Sequence, residues 1–209
     1  MNDNVEVLPL FAFPLHPYDF ELTKEQEKVI VDVANKVDYK VNKSGNIPSK
    51  SKNIFNENPE LHFLEQMLLK EFYRFKNVVL RYEDLDFRIT TSWFTKTKPG
   101  GNCQYHNHNN SMYSGVFYFN NDEEHTKINF TYFGASTSYL LVKPTSYNLY
   151  NSTSWSLPQK NNSCIYFPSH LPHAVDTNTS DKIRQSLAFN FMPIGTVGVG
   201  DSTYDYGGY

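Results

Sequence analysis

The chain has 209 residues, a formal net charge of −3 and 16% aromatic side chains. That length fits one domain, or one domain with a modest N-terminal addition, and buries roughly 70% of the unfolded chain's surface without a disulfide or structural metal. The faintly acidic balance argues against nucleic acid as a partner, and the absence of any apolar stretch near the roughly 20 residues that span a bilayer argues against a membrane.

The N-terminal run MNDNVEVLPLF lacks the basic and apolar regions of a signal peptide, so a cytoplasmic location is expected. Residues 5–13 are largely apolar and predict an early strand. Thr23 and Gln26 fit a capping box at the start of a helix whose one face carries Val29, Ile30, Val33, Ala34 and Val37. Asn58 and Pro59 predict an N-cap and first-turn proline for a second helix, with Leu61, Leu64, Leu68, Phe72 and Phe75 at helical spacing. Both helices read as packing elements, so residues 1–80 are expected to support a core that follows.

From residue 87 the period changes to two. Phe87, Ile89, Thr91 and Trp93 alternate with Arg88, Thr90, Ser92 and Phe94. Further strands are predicted over 116–119, 127–133, 163–167 and 183–192, separated by turn residues at 99–101, 120–122 and 161–162. Two cysteines, Cys103 and Cys164, are too few for a disulfide scaffold. The pattern predicts a mainly β fold, a jelly-roll core over residues 81–195. Residues 196–209 carry no core pattern and read as a loosely ordered or tyrosine-docked tail. The charge is unevenly spread: residues 101–180 hold three lysines and only four acids, Asp122, Glu123, Glu124 and Asp176.

Four of the seven histidines fall in two segments, Gln104-Tyr105-His106-Asn107-His108 and Phe167-Pro168-Ser169-His170-Leu171-Pro172-His173. Residues two apart on a strand face one side, so His106 and His108 can share a cavity. His173 from a distant strand completes a triangular metal face, and imidazole suits iron, zinc, copper or nickel. His170, three residues earlier, reads as turn or surface, and His16, His62 and His125 as ordinary polar residues. Cys103 lies near His106 as a fourth ligand, an oxidation target or, more simply, a buried thiol.

Arg184, Ser186, Ala188 and Asn190 share one strand face, with Ile183, Leu187, Phe189 and Phe191 on the other and Gln185 as the exception. A guanidinium forks onto a carboxylate, and a neighbouring hydroxyl adds a further bond. A dicarboxylic cosubstrate matches Arg184 and Ser186. Asn190 and Trp93 are candidates for a substrate pocket.

The ordered set His106-Asn107-His108, Ser114-Gly115-Val116-Phe117-Tyr118-Phe119, Phe167-Pro168-Ser169 with His173, and Arg184-x-Ser186 with Asn190 resembles the 2-oxoglutarate/Fe(II)-dependent oxygenases over roughly residues 88–195. In particular it looks like a small, prolyl-hydroxylase-like subgroup of marine bacteria and their phages, which places the expected cytoplasm in a bacterium or phage-infected host. The resemblance implies a double-stranded β-helix with supporting N-terminal helices, Fe(II) at its open end, and 2-oxoglutarate bound through Arg184 and Ser186. Tyr118 falls where relatives place a tyrosine on the same carboxylate; it reads equally as a core aromatic. The usual His-x-Asp/Glu pattern is broken, because His108 stands at the carboxylate position. Either His108 ligates, giving a three-histidine face, or it stands off and leaves an open position.

The implied activity is hydroxylation, with molecular oxygen, of a protein side chain or small polar molecule. Two rivals remain at this point. A cupin-type metalloprotein with a three-histidine site fits His106, His108 and His173 but leaves Arg184 and Ser186 without a task. A non-catalytic jelly-roll module, virion or carbohydrate-binding, leaves the histidines incidental.

Overall fold

The computed structural model describes residues 7–8, 12–40, 45–82, 84–121, 123–132 and 143–207. Thr23 opens helix α1 (Lys24–Lys36) with the predicted capping box: its hydroxyl accepts the Gln26 N–H at 3.2 Å, and Gln26 Oε1 accepts the Thr23 N–H at 2.9 Å. The helix buries Ile30, Val33 and Ala34. The next start differs from expectation. Asn58 caps nothing, because its amide nitrogen reaches back to the Ile54 carbonyl at 2.7 Å and closes a short helix α2 (Ile54–Glu57) that the sequence pattern did not disclose. Pro59 then opens a 3-10 turn (Pro59–Leu61) leading into α3 (His62–Phe75), which buries Leu64, Leu68, Phe72 and Phe75.

Among the described residues, ten strands form two antiparallel sheets. They are β1 (His16–Asp19), β2 (Asn46–Pro48), β3 (Asp86–Thr97), β4 (Cys103–His106), β5 (Tyr113–Phe119), β6 (Lys127–Thr131), β7 (Ser154–Pro158), β8 (Ser163–Pro168), β9 (His173–Val175) and β10 (Arg184–Ile194). The larger sheet runs β1-β8-β5-β10-β3-β2 and the smaller β4-β9-β6-β7. The architecture is the expected mainly β, double-stranded β-helix (jelly roll), with the N-terminal helices against the larger sheet. The strand predicted over 5–13 lies largely outside the described residues; β1 starts later, at His16.

The two faces of β10 organise two cores. Leu187, Phe189 and Phe191 point at the helices, where Phe191 stacks on Phe72 with ring centroids 3.9 Å apart. Ala188 points the other way, into an apolar layer between the sheets with Val116, Tyr118, Ile128, Phe130, Ile165 and Phe167. Gln185, the residue that broke the alternation, accepts a bond from Asn120 Nδ2 at 2.8 Å. The larger sheet is tied to α3 by Tyr166, whose hydroxyl donates to the Leu68 carbonyl at 3.0 Å, and by His16 Nε2 against the buried Glu71 carboxylate at 2.7 Å. Within the expected tail, β11 (Thr196–Val197) pairs with β12 (Tyr204–Asp205) as a small hairpin.

Gly115 on β5 has a steric reason. A Cβ there meets the ring of buried Phe189 at 2.4 Å. Gly115→Ala is therefore expected to lower unfolding stability by about 1–3 kcal/mol, read as a drop in denaturant midpoint.

Candidate metal centre

Strands β4 and β9 are neighbours, and their register sets His106 opposite His173. The expected strand alternation between His106 and His108 is not what joins them. β4 ends at His106, with a register irregularity between Cys103 and His106, and His108 lies beyond the strand. Its backbone N–H donates to the Ser169 carbonyl at 2.9 Å, which brings the ring back over the sheet mouth. The three rings converge, with centroids 4.3 Å apart for His106–His173, 5.0 Å for His108–His173 and 5.2 Å for His106–His108. One ligand atom from each lies within 4.8 Å of the others.

Each ring has its Nδ1 engaged. His106 Nδ1 meets the Gln104 carbonyl at 2.9 Å, His173 Nδ1 the Leu171 carbonyl at 3.0 Å, and His108 Nδ1 the Asn190 Oδ1 at 2.7 Å. All three acceptors require an N–H, so each proton sits on Nδ1 and each Nε2 keeps its lone pair. His106 and His108 then face each other Nε2 to Nε2 at 3.3 Å. Two lone pairs repel at that distance unless a cation lies between them. Two imidazole nitrogens each about 2.1 Å from one ion stand about 3.0–3.4 Å apart in right-angled to tetrahedral geometry. Burial, with a smaller contribution from neighbouring charge, pulls His108 down to about 4 and His173 to about 3, so both are neutral ligands at neutral pH.

Asn190 occupies a different place from the substrate pocket expected for it. Its Oδ1 accepts from His108 and, at 2.8 Å, from the Ser114 hydroxyl, while its Nδ2 donates to Thr91 Oγ1 at 2.9 Å. Ser114 is in turn 2.8 Å from Ser169 Oγ. A register shift of β10 against β3 falls between Asn190 and Phe191, and bulges of this kind re-aim a side chain. Ser114 and Ser169 were not singled out by sequence reasoning, although both stand inside the motif segments. Trp93, the other substrate-pocket candidate, has its ring centroid 5.4 Å from that of His108.

Arg184 and Tyr118 lie deeper between the sheets and are both buried. The Arg184 Nη1 donates to the His125 carbonyl at 3.4 Å, but Nη2 has no partner, and neither has the Tyr118 hydroxyl. Burial pushes the Tyr118 phenol up, which keeps it a donor. Ser186 sits on the same strand as Arg184, opposite Tyr118 on β5 and Thr95 on β3. Two orphaned buried donors beside a third hydroxyl form a place suited to a carboxylate. A polar cavity of about 370 Å³ reaches Arg184, lined also by Asn120, Thr126, Asn178 and Lys182, but touches none of the three histidines. Donor geometry, not cavity size, locates the candidate centre.

The other candidates separate cleanly. Cys103 Sγ lies 3.7 Å from His106 Nδ1, on the side away from the converging Nε2 atoms, and burial raises its thiol. His170 is exposed and edges onto Phe13; His62 and His125 meet Glu65 and Thr179. Among the described residues, the three histidines are the one metal-competent group, and it contains no carboxylate.

Residues 91–190 match the family model described as "Putative 2OG-Fe(II) oxygenase". No curated protein matches the sequence. Among solved structures, the chain is similar to the non-heme alpha-ketoglutarate-dependent carbocyclase SnoK from nogalamycin biosynthesis, with a TM-score of 0.60 at 12% identity over 85% of this chain and 79% of that one. It is also similar to HygX from Streptomyces hygroscopicus, crystallised with nickel, 2-oxoglutarate and hygromycin B, with a TM-score of 0.59 at 9% identity over 85% and 82%. A prolyl hydroxylase from Trichoplax adhaerens, bound to a hypoxia-inducible-factor peptide, gives 0.58 at 9% over 85% and 83%. Such identities show the shared fold, and the matched family segment covers a little under half of the chain.

Two outcomes follow from the site's geometry. Asn190→Leu removes the obligate acceptor on His108 Nδ1 and leaves it only the Ser114 hydroxyl, 2.8 Å away, which can donate as well as accept. Divalent-metal affinity is therefore expected to fall about 10- to 100-fold, while Asn190→Asp retains it, and Co(II) titration followed by its visible spectrum reads both. The folded-state values of His108 and His173 lie below the ordinary 6.5. The unfolded chain therefore takes up protons there first, and stability of the metal-free protein is expected to fall as pH drops from about 6.5 towards 4. Denaturant midpoints across that range check this, and a His173→Asn variant flattens the slope.

Proposed function

We propose that this protein is an Fe(II)- and 2-oxoglutarate-dependent dioxygenase that hydroxylates a small molecule or peptide. The observation that carries the reading is the pairing, between the same two sheets, of three Nε2 atoms converging without protons and two buried donors without acceptors. A cupin-type or non-catalytic reading explains the first at most, and leaves Arg184 Nη2 and Tyr118 Oη unexplained.

On this reading His106, His108 and His173 hold the metal, with His108 in place of a carboxylate. Iron supplies the activation of oxygen, one atom of which enters succinate and the other the substrate, with carbon dioxide released. Arg184 binds the far carboxylate of 2-oxoglutarate, Tyr118 donates to it, and Ser186 supplies a further hydroxyl. That end is anchored by a cation already desolvated, so its position is fixed before oxygen is engaged. The apolar wall of Val116, Phe130, Ile165 and Phe167 excludes water from the space between. Asn190 keeps the His108 proton on Nδ1 and so holds its Nε2 available. HygX and the Trichoplax enzyme were crystallised with an antibiotic and a peptide respectively, which leaves both substrate types open for this chain.

Anaerobic protein given Fe(II) and 2-oxoglutarate is expected to develop a weak visible charge-transfer band. At limiting cosubstrate the band is lost in Arg184→Ala and weakened in Tyr118→Phe. A band that is absent from the native protein, or that survives in Arg184→Ala, overturns the proposal. Metal binding indifferent to 2-oxoglutarate favours the cupin reading instead.

A further inference from the structure

Lys52 precedes α2 and extends over Trp93, with its Nζ 4.7 Å from the ring centroid. Trp93 is in turn the aromatic neighbour of His108. Lys52 is thus one ring removed from the candidate metal centre, and its charge is felt at His108. The ammonium is partly buried, and among the described residues no carboxylate lies within ion-pairing distance of it. Burial, with the like charge of Lys40, pulls its amine down to about 8. Contact with an indole face offsets part of that cost without cancelling the charge.

The candidate ligands supply no counter-ion either. The three histidines are neutral when they ligate, so the protein contributes no negative charge to the metal. Thr91 and Asn190 are bonded to each other. A divalent metal and a lysine at one mouth, the lysine without an ion pair among the described residues, would give a field that draws anions. Arg184 is a separate station: it lies four positions along β10 from Ala188, the partner of Trp93, about 13 Å of strand away.

We propose that Lys52 and Trp93 form the substrate-recognition corner of this site, and that the substrate is a small molecule carrying a carboxylate or phosphate that docks on the Lys52 ammonium. The proposal rests on the dioxygenase reading. The anion replaces water on a half-desolvated cation, and the body of the molecule lies along the indole beside His108. A lysine ammonium is a point charge and accepts either anion, so the two are told apart by experiment.

The test uses the full chain loaded with Zn(II), in a Trp155→Phe background that leaves Trp93 as the one tryptophan. Its fluorescence is titrated with benzoate, phenyl phosphate and neutral benzamide. At least one anion is expected to saturate at about tenfold lower concentration than benzamide, and the better of the two identifies the anionic group. Lys52→Met removes the preference and Lys52→Arg keeps it, which separates loss of charge from loss of fold. In the same samples, 2-oxoglutarate affinity is unchanged in Lys52→Met and lost in Arg184→Ala. Equal binding of anion and amide, failure of both anions to saturate, or a preference that survives Lys52→Met overturns the proposal. So does a Lys52→Met variant that loses 2-oxoglutarate, since Lys52 then serves the cosubstrate. If 2-oxoglutarate does not bind the native protein at all, it is the dioxygenase reading that fails, independently of the benzoate result.

Discussion

The stack of Phe191 on Phe72 fixes strand β10 against helix α3, and the site depends on that contact more than on any bond within it. A strand side chain has only two directions available. With Leu187, Phe189 and Phe191 committed to the helix layer, Arg184, Ser186, Ala188 and Asn190 must face the space between the sheets. Apolar burial on one face thus aims a guanidinium and an amide on the other. The register shift after Asn190 then adjusts the last of these side chains to the level of His108.

The second constraint is electrostatic. A carboxylate ligand brings its own charge to a metal; an imidazole brings none and must be held in one tautomer. Here two backbone carbonyls perform that task for His106 and His173, and the Asn190 side chain together with the Ser114 hydroxyl for His108. The two carbonyls come with the local turn of the chain. Asn190 comes from the far sheet and is itself fastened by Ser114 and Thr91, so the ligand that departs from the usual pattern is also the one with the most elaborate support.

Much of this was legible because period-two and period-3.6 patterns are written in nearest neighbours. The faces of β10, the α1 capping box and the jelly-roll class follow from spacing, and the two histidine segments point to the grouping of His106, His108 and His173. The reason for the convergence did not: His108 reaches its place through a bond to Ser169, a contact between segments sixty residues apart. Asn58 was misread because a side chain that can cap forwards can also bond backwards, and only packing decides which. Spacing gives the face of Asn190 but not its bond to His108, since the face says where a side chain points and not what meets it. Lys52 stands in a Ser-Lys-Ser-Lys stretch with no pattern at all, and only its tertiary partner, Trp93, distinguishes it.

A metal face made of imidazole alone also decides which ions compete for it. Magnesium, calcium and manganese favour hard oxygen ligands and find none from the protein here. Zinc, copper and nickel bind nitrogen at least as well as iron does, following the Irving–Williams order. On the proposed reading, His108 in place of a carboxylate would shift the contest away from the abundant hard cations and towards the tight-binding late transition metals. On that reading, the metal supply around the folding chain would then weigh on which ion occupies the centre alongside the site's own preference.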